Sequence, residues 1–333
     1  MNGVSRYLHI KSVAACVIPV LCALASWPVA AQASWPNAKP ISLIVPWSPG
    51  GVADFLGRQL ADSLTKQLNQ TVIVENKPGA GTNIGSADVA NAAPDGYTLL
   101  LASSANAANM SLYKRMRYDT RTDFTPVTLV GYTPMVLVAN PSVRQETLLE
   151  LIAHSKDHPG EIAYASAGAG SPAHLAGELF KHETKVDWLH IPYKGAGPAI
   201  TDLMGGQVQT MFTNVPASLG GIRSGKLRAF AITGEHRSPA LPDTPTFAEA
   251  GLPSFPATGW YGVFAPVGTP EKIVQKLNME IEQALTSPDQ KKRVTDQGVE
   301  ISILGPDEFK VLVASDIEFY RELTEEIGIR SNL

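Results

Sequence analysis

The chain has 333 residues, 44% of them apolar and 17% charged, with 27 basic against 31 acidic side chains and a formal charge of −4. This is the composition of a globular protein rather than a disordered or fibrous one. The acidic balance argues against a nucleic-acid partner.

Residues 1–33 read as a cleavable signal peptide. Arg6 and Lys11 form a charged start, and Val13–Leu24 is an apolar run shorter than the ~20 residues a spanning helix needs. Val29-Ala30-Ala31 and Ala31-Gln32-Ala33 both offer small-residue cleavage sites. Val13-Ala14-Ala15-Cys16 has the form of a lipoprotein box, but it opens the apolar run instead of closing it, which disfavours a lipid anchor. Both cysteines, Cys16 and Cys22, lie in this leader. The exported chain is therefore expected to lack disulfides, thiol nucleophiles and thiolate metal sites. Loss of Arg6 and Lys11 takes its charge to −6. Export without cysteine points to a bacterial periplasm. About 300 remaining residues exceed what one core organises, so two lobes are expected. No later apolar run is long enough to span a membrane.

Strand and helix patterns then alternate. Ile41–Val45 reads as a strand and Val52–Leu68 as a helix with Leu56, Leu60, Leu64 and Leu68 on one stripe. Thr71–Glu75 is a strand ended by Asn76-Lys77-Pro78-Gly79, Ile84–Ala92 a short helix, and Tyr97–Ala102 a buried-type strand. Phe124–Ala139 is extended, and Glu146–His158 is a helix stopped by Pro159-Gly160. Strands at Ile162–Ala165 and Trp188–Ile191 flank a helix at Ala173–His182. A short helix follows at Ala199–Met204 with Pro198 at its start. Strands at Val208–Thr213, Leu227–Thr233 and Trp260–Ala265 precede helices at Pro270–Leu285 and Pro306–Ile327. Such alternation predicts parallel sheets covered by helices on both faces. With no Pro/Gly-rich linker, the lobes are expected to exchange chain within extended segments, Tyr132–Asn140 and Thr258–Val263. One lobe would then comprise 35–136 plus 259–333, the other 137–258.

The turn Pro46–Asp54 joins the first strand to the first helix. A Gly-rich turn of this kind aims backbone N–H groups and the positive end of the helix dipole at one spot, a site for an anion. Trp47, Ser48, Pro49, Gly50 and Gly51 are candidate ligand contacts, with Trp47 as an apolar wall. Asp54 either meets the ligand or a water, or serves the helix dipole and pairs with Arg58. Gly81, Thr82 and Asn83 lie in a second Gly-rich loop, whose plainer reading is a turn before a helix. Ser103 and Ser104 follow a strand end, where open α/β sheets place ligands or cap helices. In the second half, Ser166, Ala167, Gly168, Ala169 and Gly170 form the counterpart turn at the start of the helix carrying His174. The role of His174 is open between capping and ligand contact. Lys194 and Gly195 follow the strand at Trp188–Ile191 as candidates to line the cleft, Lys194 being otherwise a solvated surface charge; Thr213 and Asn214 end the next strand, as ligand contacts or as ordinary turn chemistry.

Competing motifs are weaker. Gly168–Ala173 fits a loose dinucleotide pattern without the expected acid after the next strand, and Gly220–Leu227 mimics a P-loop that precedes a strand and lacks Ser/Thr after Lys226. His174, Glu178 and His182 share a helix face, but one helix rarely supplies enough converging metal ligands. His154 and His158 end a helix, where cations suit the dipole. There is no Gly-x-Ser-x-Gly elbow and no HExxH. No catalytic residue, metal or cofactor is expected; a secreted hydrolase using Ser171 or Ser166 is the alternative from another class. A third reading is a binding protein that serves a sensor.

Several segments together resemble one family. They are Pro46–Asp54 with Arg58, Asn76–Gly85, Pro94-Asp95-Gly96-Tyr97-Thr98-Leu99-Leu100, Tyr164–Ser171 with His174-Leu175, and Pro192-Tyr193-Lys194-Gly195. Gly206-Gln207-Val208, Ser224–Ala229 and Pro242-Asp243-Thr244-Pro245-Thr246 with Glu249 and Gly251 complete the set. From about Ile41 to the C-terminus the chain resembles the Bug/TctC-type solute-binding proteins of tripartite tricarboxylate transport systems. The resemblance implies an α/β, two-lobed periplasmic binding protein of the type II, Venus-flytrap kind, with two doubly wound sheets and a ligand cleft between them. It implies closure on a small carboxylate held by backbone amides, hydroxyls and bridging waters, and docking of the closed monomer on small and large membrane subunits. Trp47 departs from the Tyr or Phe common in the family and is expected to reshape the pocket.

Overall fold

The computed structural model describes residues 35–169, 171–193, 195–252, 255, 259–326 and 328–329. The signal-peptide reading of 1–33, the candidates Gly170 and Lys194, and Thr258 at the second crossing lie outside the described residues.

β1 (Ile41–Val45) is an apolar run bounded by prolines, and α1 (Val52–Leu68) buries its leucine stripe. β2 (Val72–Asn76), α2 (Asn83–Ala90), β3 (Thr98–Ser103) and α3 (Ser104–Leu112) repeat the strand–helix unit. The extended stretch is divided by Pro134 into β4 (Phe124–Thr133) and β5 (Met135–Ala139). Then come α4 (Leu148–Asp157), β6 (Ala163–Ser166), α5 (Pro172–Thr184), β7 (Leu189–Pro192), α6 (Ala196–Met204), β8 (Thr210–Asn214), α7 (Val215–Arg223) and β9 (Arg228–Ile232). β10 (Gly259–Pro266), α8 (Glu271–Thr286), α9 (Pro288–Asp296), β11 (Glu300–Leu304) and α10 (Pro306–Glu326) close the chain. Among the described residues no helix is long and apolar enough to cross a membrane.

The strands form a six-stranded sheet, β11-β4-β10-β3-β1-β2, and a five-stranded sheet, β7-β6-β8-β5-β9. Both are mixed, which corrects the expectation of parallel sheets. β10 runs antiparallel to β3 and β4, and β5 antiparallel to β8 and β9. These are the strands by which the chain enters one sheet from the other. They enter at the edge where the host's parallel strands end, so they must run the opposite way.

Four elements were not read from sequence as such. α7 contains Gly220 and Gly221, poor helix formers; Gly221 is needed because a Cβ there would stand 2.6 Å from Leu227 Cδ1. α9 buries only Val294, so it has no apolar stripe. β11 is a half-buried edge strand with irregular pairing to β4. α3 is alanine- and asparagine-rich and lacks a helical hydrophobic period. α6 begins at Ala196, so Pro198 sits within its first turn, where a missing N–H costs nothing.

Leu43 and Val45 of β1 pack with Leu56, Leu60, Leu277 and Ile281 on one face of the larger sheet. Ile44 and Leu100 face the other way, into a cluster continuous with Leu137, Tyr164 and Phe212 of the smaller sheet and Phe180 of α5. Where the sheets meet, Met135, Leu175 and Leu179 come against Phe319, Tyr320 and Leu323 of α10.

Candidate functional site

Strand pairing decides where the candidate turns lie. Ser103, the end of β3, pairs with Tyr261 of β10, and Gly259 pairs with Thr133, the end of β4. β1, β3 and β4 therefore end on one edge of the larger sheet. A single residue, Pro134, separates β4 from β5, whose first residue Met135 pairs with Asn214, the end of β8. β6 is parallel to β8 and delivers Ser166 to that same edge. The loop-bearing edges of the two sheets thus adjoin across the β4–β5 crossing. Trp47–Gly51 and Gly81–Asn83 stand on one, and Ala167–Ala169, Gly195 and Asn214 on the other.

In the first turn, Asp54 is 6% exposed and accepts from Gly50 N–H at 3.0 Å, Arg58 Nε at 3.1 Å, Arg58 Nη2 at 2.9 Å and Asn76 Nδ2 at 3.0 Å. Burial would raise its pKa, but these four donors outweigh it and hold the carboxyl below its usual value. Its oxygens are spent on shaping the turn. Asn76 also donates to the Trp47 carbonyl at 3.1 Å, fixing the turn to β2. Ser48, Pro49, Gly50 and Gly51 stay exposed, Gly51 caps α1 without a side-chain bond, and the half-buried Trp47 has an indole N–H shielded from solvent with no hydrogen-bond partner.

The second loop is strained. Gly79, Ala80, Gly81 and Thr82 all have positive φ, of 130°, 47°, 60° and 87°. For Ala80, and more so for β-branched Thr82, this costs ~1–3 kcal/mol each and persists only under external support. Asn109 of α3 supplies it, donating to the Gly81 carbonyl at 2.6 Å and to Asn83 Oδ1 at 2.9 Å. Tyr118 OH donates to the same Asn83 oxygen at 2.8 Å. Thr82 is itself buried, so Gly81 and Asn83 form the reachable rim.

On the smaller sheet, Ser166 is fully buried and lies beneath its turn. Its Oγ is 3.0 Å from the Gly168 carbonyl, 3.2 Å from Gly168 N and 2.7 Å from His190 Nε2. One hydroxyl proton satisfies all three only if Ser166 donates to the carbonyl and accepts from Gly168 N–H and His190 Nε2–H. His190 is stacked between Tyr164 and His174, with ring centroids 4.8 and 4.0 Å away. Burial, then the neighbouring His174, pushes His190 down to about 4, so its imidazole is neutral at pH 7. Burial lowers His174 too, though Glu178 opposes it. Glu178 closes the column, accepting from Tyr164 OH at 2.6 Å and Lys181 at 2.9 Å. Gly195 N–H donates to the Ala167 carbonyl at 3.0 Å, joining the starts of α5 and α6.

The column gives Gly177 an unusual role. Gly→Ala inside a helix normally stabilises by ~1 kcal/mol, but a Cβ here would drive into the Tyr164 ring. Gly177→Ala is expected to destabilise by ~1–3 kcal/mol, measured as a lower urea midpoint.

Other candidates are not brought to the rim. Ser103 Oγ caps α3, accepting from Ala105 N–H at 3.3 Å, while Ser104 is 2% exposed and bonds Tyr320. Thr213 is buried within β8. The main-chain starts of α1, α2, α6 and α7, at Gly51, Thr82, Gly195 and Asn214, carry no side-chain cap. Ser171 caps α5 by accepting from His174 N–H at 3.2 Å. For the hydrolase alternative, Ser166 has a histidine at nucleophile–base distance, but it is sealed from solvent and tied to its own turn. A cavity of about 430 Å³ lies elsewhere, lined by Ser42, Glu75, Lys77, Asp88 and Arg117; its Lys77 is paired with Asp88 and Glu75.

Sequence reasoning missed Asn76, Asn109 and His190, the residues that hold the turns from behind. A histidine inside a short strand and asparagines spaced i, i+3 in an alanine-rich helix were the available signals.

Residues 56–329 match the family model described as "Tripartite tricarboxylate transporter family receptor", TctC. Protein BugT of Bordetella pertussis is 42% identical over 316 residues, 94% of this chain and 97% of the relative. The solved structure of R. palustris Rpa4515 with adipate is 33% identical with a TM-score of 0.84, over 90% of this chain and 100% of that one. MatC from Rhodopseudomonas palustris with bound malate is 34% identical with a TM-score of 0.78, over 86% and 99%. The chain belongs to the TctC receptor family of tripartite tricarboxylate transporters, the Bug periplasmic binding proteins.

Proposed function

We propose that this protein captures a small dicarboxylate between its two sheets and delivers it to the small and large membrane subunits of a tripartite tricarboxylate-type transporter. The observation that carries the reading is the adjoining of uncapped helix starts from both sheets across the β4–β5 crossing. Each such start stabilises a carboxylate by ~0.3–1 kcal/mol at the surface, and more when partly buried. Two carboxylates on one ligand use two sets of starts. The relatives solved with adipate and malate hold acids of this class. Residues 35–133 with 259–333 act as one lobe and 135–258 as the other, two residues short of the boundary expected from sequence, in a monomer exported by cleavage of 1–33. Met135 and Val136 already pair in the smaller sheet, so the hinge centres on Pro134. The binding contacts are Trp47–Gly51, Gly81, Asn83, Ala167–Ala169, Gly195 and Asn214; Asp54, Ser166 and His174 shape the turns.

Thermal unfolding of the purified protein against di- and tricarboxylates, amino acids and aromatic acids tests this. A ligand at 100 times its Kd adds about 2.7 kcal/mol, a rise of several degrees for a chain of this size. A rise with C4–C6 dicarboxylates above the other acids is the expected result. A panel in which only aromatic or amino acids shift the transition overturns the substrate class, and no shift with any acid overturns carboxylate capture.

A further inference from the structure

The edge of the smaller sheet opposite the turns carries a separate cluster. His154 lies in the last turn of α4, His158 is its C-cap one turn on, and Glu161 follows three residues later. The i, i+4 spacing puts both imidazoles on one helix face, their rings stacked with centroids 4.3 Å apart and planes at 26°. The chain then folds back: Glu161 N–H donates to the His158 carbonyl at 3.3 Å, and Gly160 has a φ of 75°. Pro159 and Gly160 hold the positions a type II turn asks of them. Gly160 N–H donates to the Asp187 carbonyl at 2.9 Å, anchoring the turn beside β7.

One ligand atom from each of the three side chains lies within 4.8 Å of the others. His154 Nε2 and Glu161 Oε1 are 3.2 Å apart, which is the edge of a tetrahedron whose metal bonds are ~2.0 Å. His158 Nδ1 is 3.0 Å from the His154 carbonyl. A carbonyl only accepts, so Nδ1 carries the proton and Nε2 presents its lone pair. That is the support metal-binding histidines receive from backbone carbonyls. The negative end of the α4 dipole further favours a cation. An exposed His–Glu pair alone contributes little, whereas one ion engages all three groups.

We propose that His154, His158 and Glu161 form a binding site for a divalent ion of the zinc class, with a fourth position open to water. Imidazole donors select such ions over Mg²⁺ or Ca²⁺. The ion clamps the end of α4 to the turn that enters β6, on the far side of the sheet from the anion turns.

Titration of the untagged protein with Co²⁺, followed by its visible absorption, and with Zn²⁺, followed by thermal unfolding, provides the test. One equivalent of Co²⁺ is expected to give the intense bands of a tetrahedral site, and Zn²⁺ to displace it and raise the transition. His158→Ala and Glu161→Gln, both at exposed positions, are expected to weaken binding at least ~10-fold, the lower end of what loss of even an outer-shell partner costs, with unchanged far-UV circular dichroism. Absence of both signals overturns the proposal. So does undiminished binding in His158→Ala, which would move the ion to another group such as His182 with Glu326.

Discussion

Gly51→Val is expected to weaken binding of the captured acid by about 100-fold or more, ~2.7 kcal/mol, while leaving the fold in place. Gly51 has extended backbone, φ −91° and ψ 179°, which any residue adopts, and a Cβ there would meet nothing within 4 Å. Loss of glycine at a helix cap costs about 1 kcal/mol. The added side chain therefore acts mainly by filling the space above the start of α1, where the proposed carboxylate sits. Gly168→Val should also lose affinity, but it mixes obstruction with strain: Gly168 has φ 138°, and its Cβ would stand 3.2 Å from the Tyr193 carbonyl. Calorimetric titration of both variants, beside their melting temperatures, separates the two. Unchanged affinity in Gly51→Val would place the ligand away from α1.

His190 makes stability depend on pH. Burial, then His174, lowers it to about 4 in the folded protein, against 6.5 when exposed. Between these values the unfolded chain binds more protons, so stability falls as pH falls. No penalty exists above 6.5; it grows through the window and is complete below 4, and because His190 is only partly buried, solvent screening keeps it below the full value of the shift, at ~1–2 kcal/mol. His174, lowered by burial, adds in the same direction, while Glu178 favours the charged forms and Lys181 opposes them. Urea unfolding at pH 7, 5.5 and 4 should show the loss in the wild type. His190→Gln keeps a donor for Ser166 and should remove most of it. An identical pH slope in this variant would show that other groups set the acid sensitivity.

Legibility from sequence followed the range of the interactions. β1 and α1 were read with their observed bounds, because an apolar run between prolines and a four-residue leucine spacing are local signals. α9 was not, since its charged sequence helps bury one side chain. The turns were legible from Gly, Pro and Ser alone. Their supports were not: Asn109 lies 28 residues from the Gly81 carbonyl it holds. Asp54 shows the limit within a motif. Its pairing with Arg58 is helix spacing, but the bond from Asn76, 22 residues away, commits the carboxylate to structure.

By itself the sequence determined the alternation of strands and helices, the Gly-rich turns at helix starts, and the family to which the chain belongs. These depend on backbone sterics and on neighbours within one or two turns. Only the tertiary structure decided that the sheets are mixed, that their loop-bearing edges adjoin, and that Ser166 meets His190. The first two follow from strands entering each sheet at its C-terminal edge across Pro134 and back at Gly259. The last requires β7 to lie beside β6 in register, Ser166 opposite Pro192. Such contacts are set by pairing between distant segments, for which a single sequence carries no local signal.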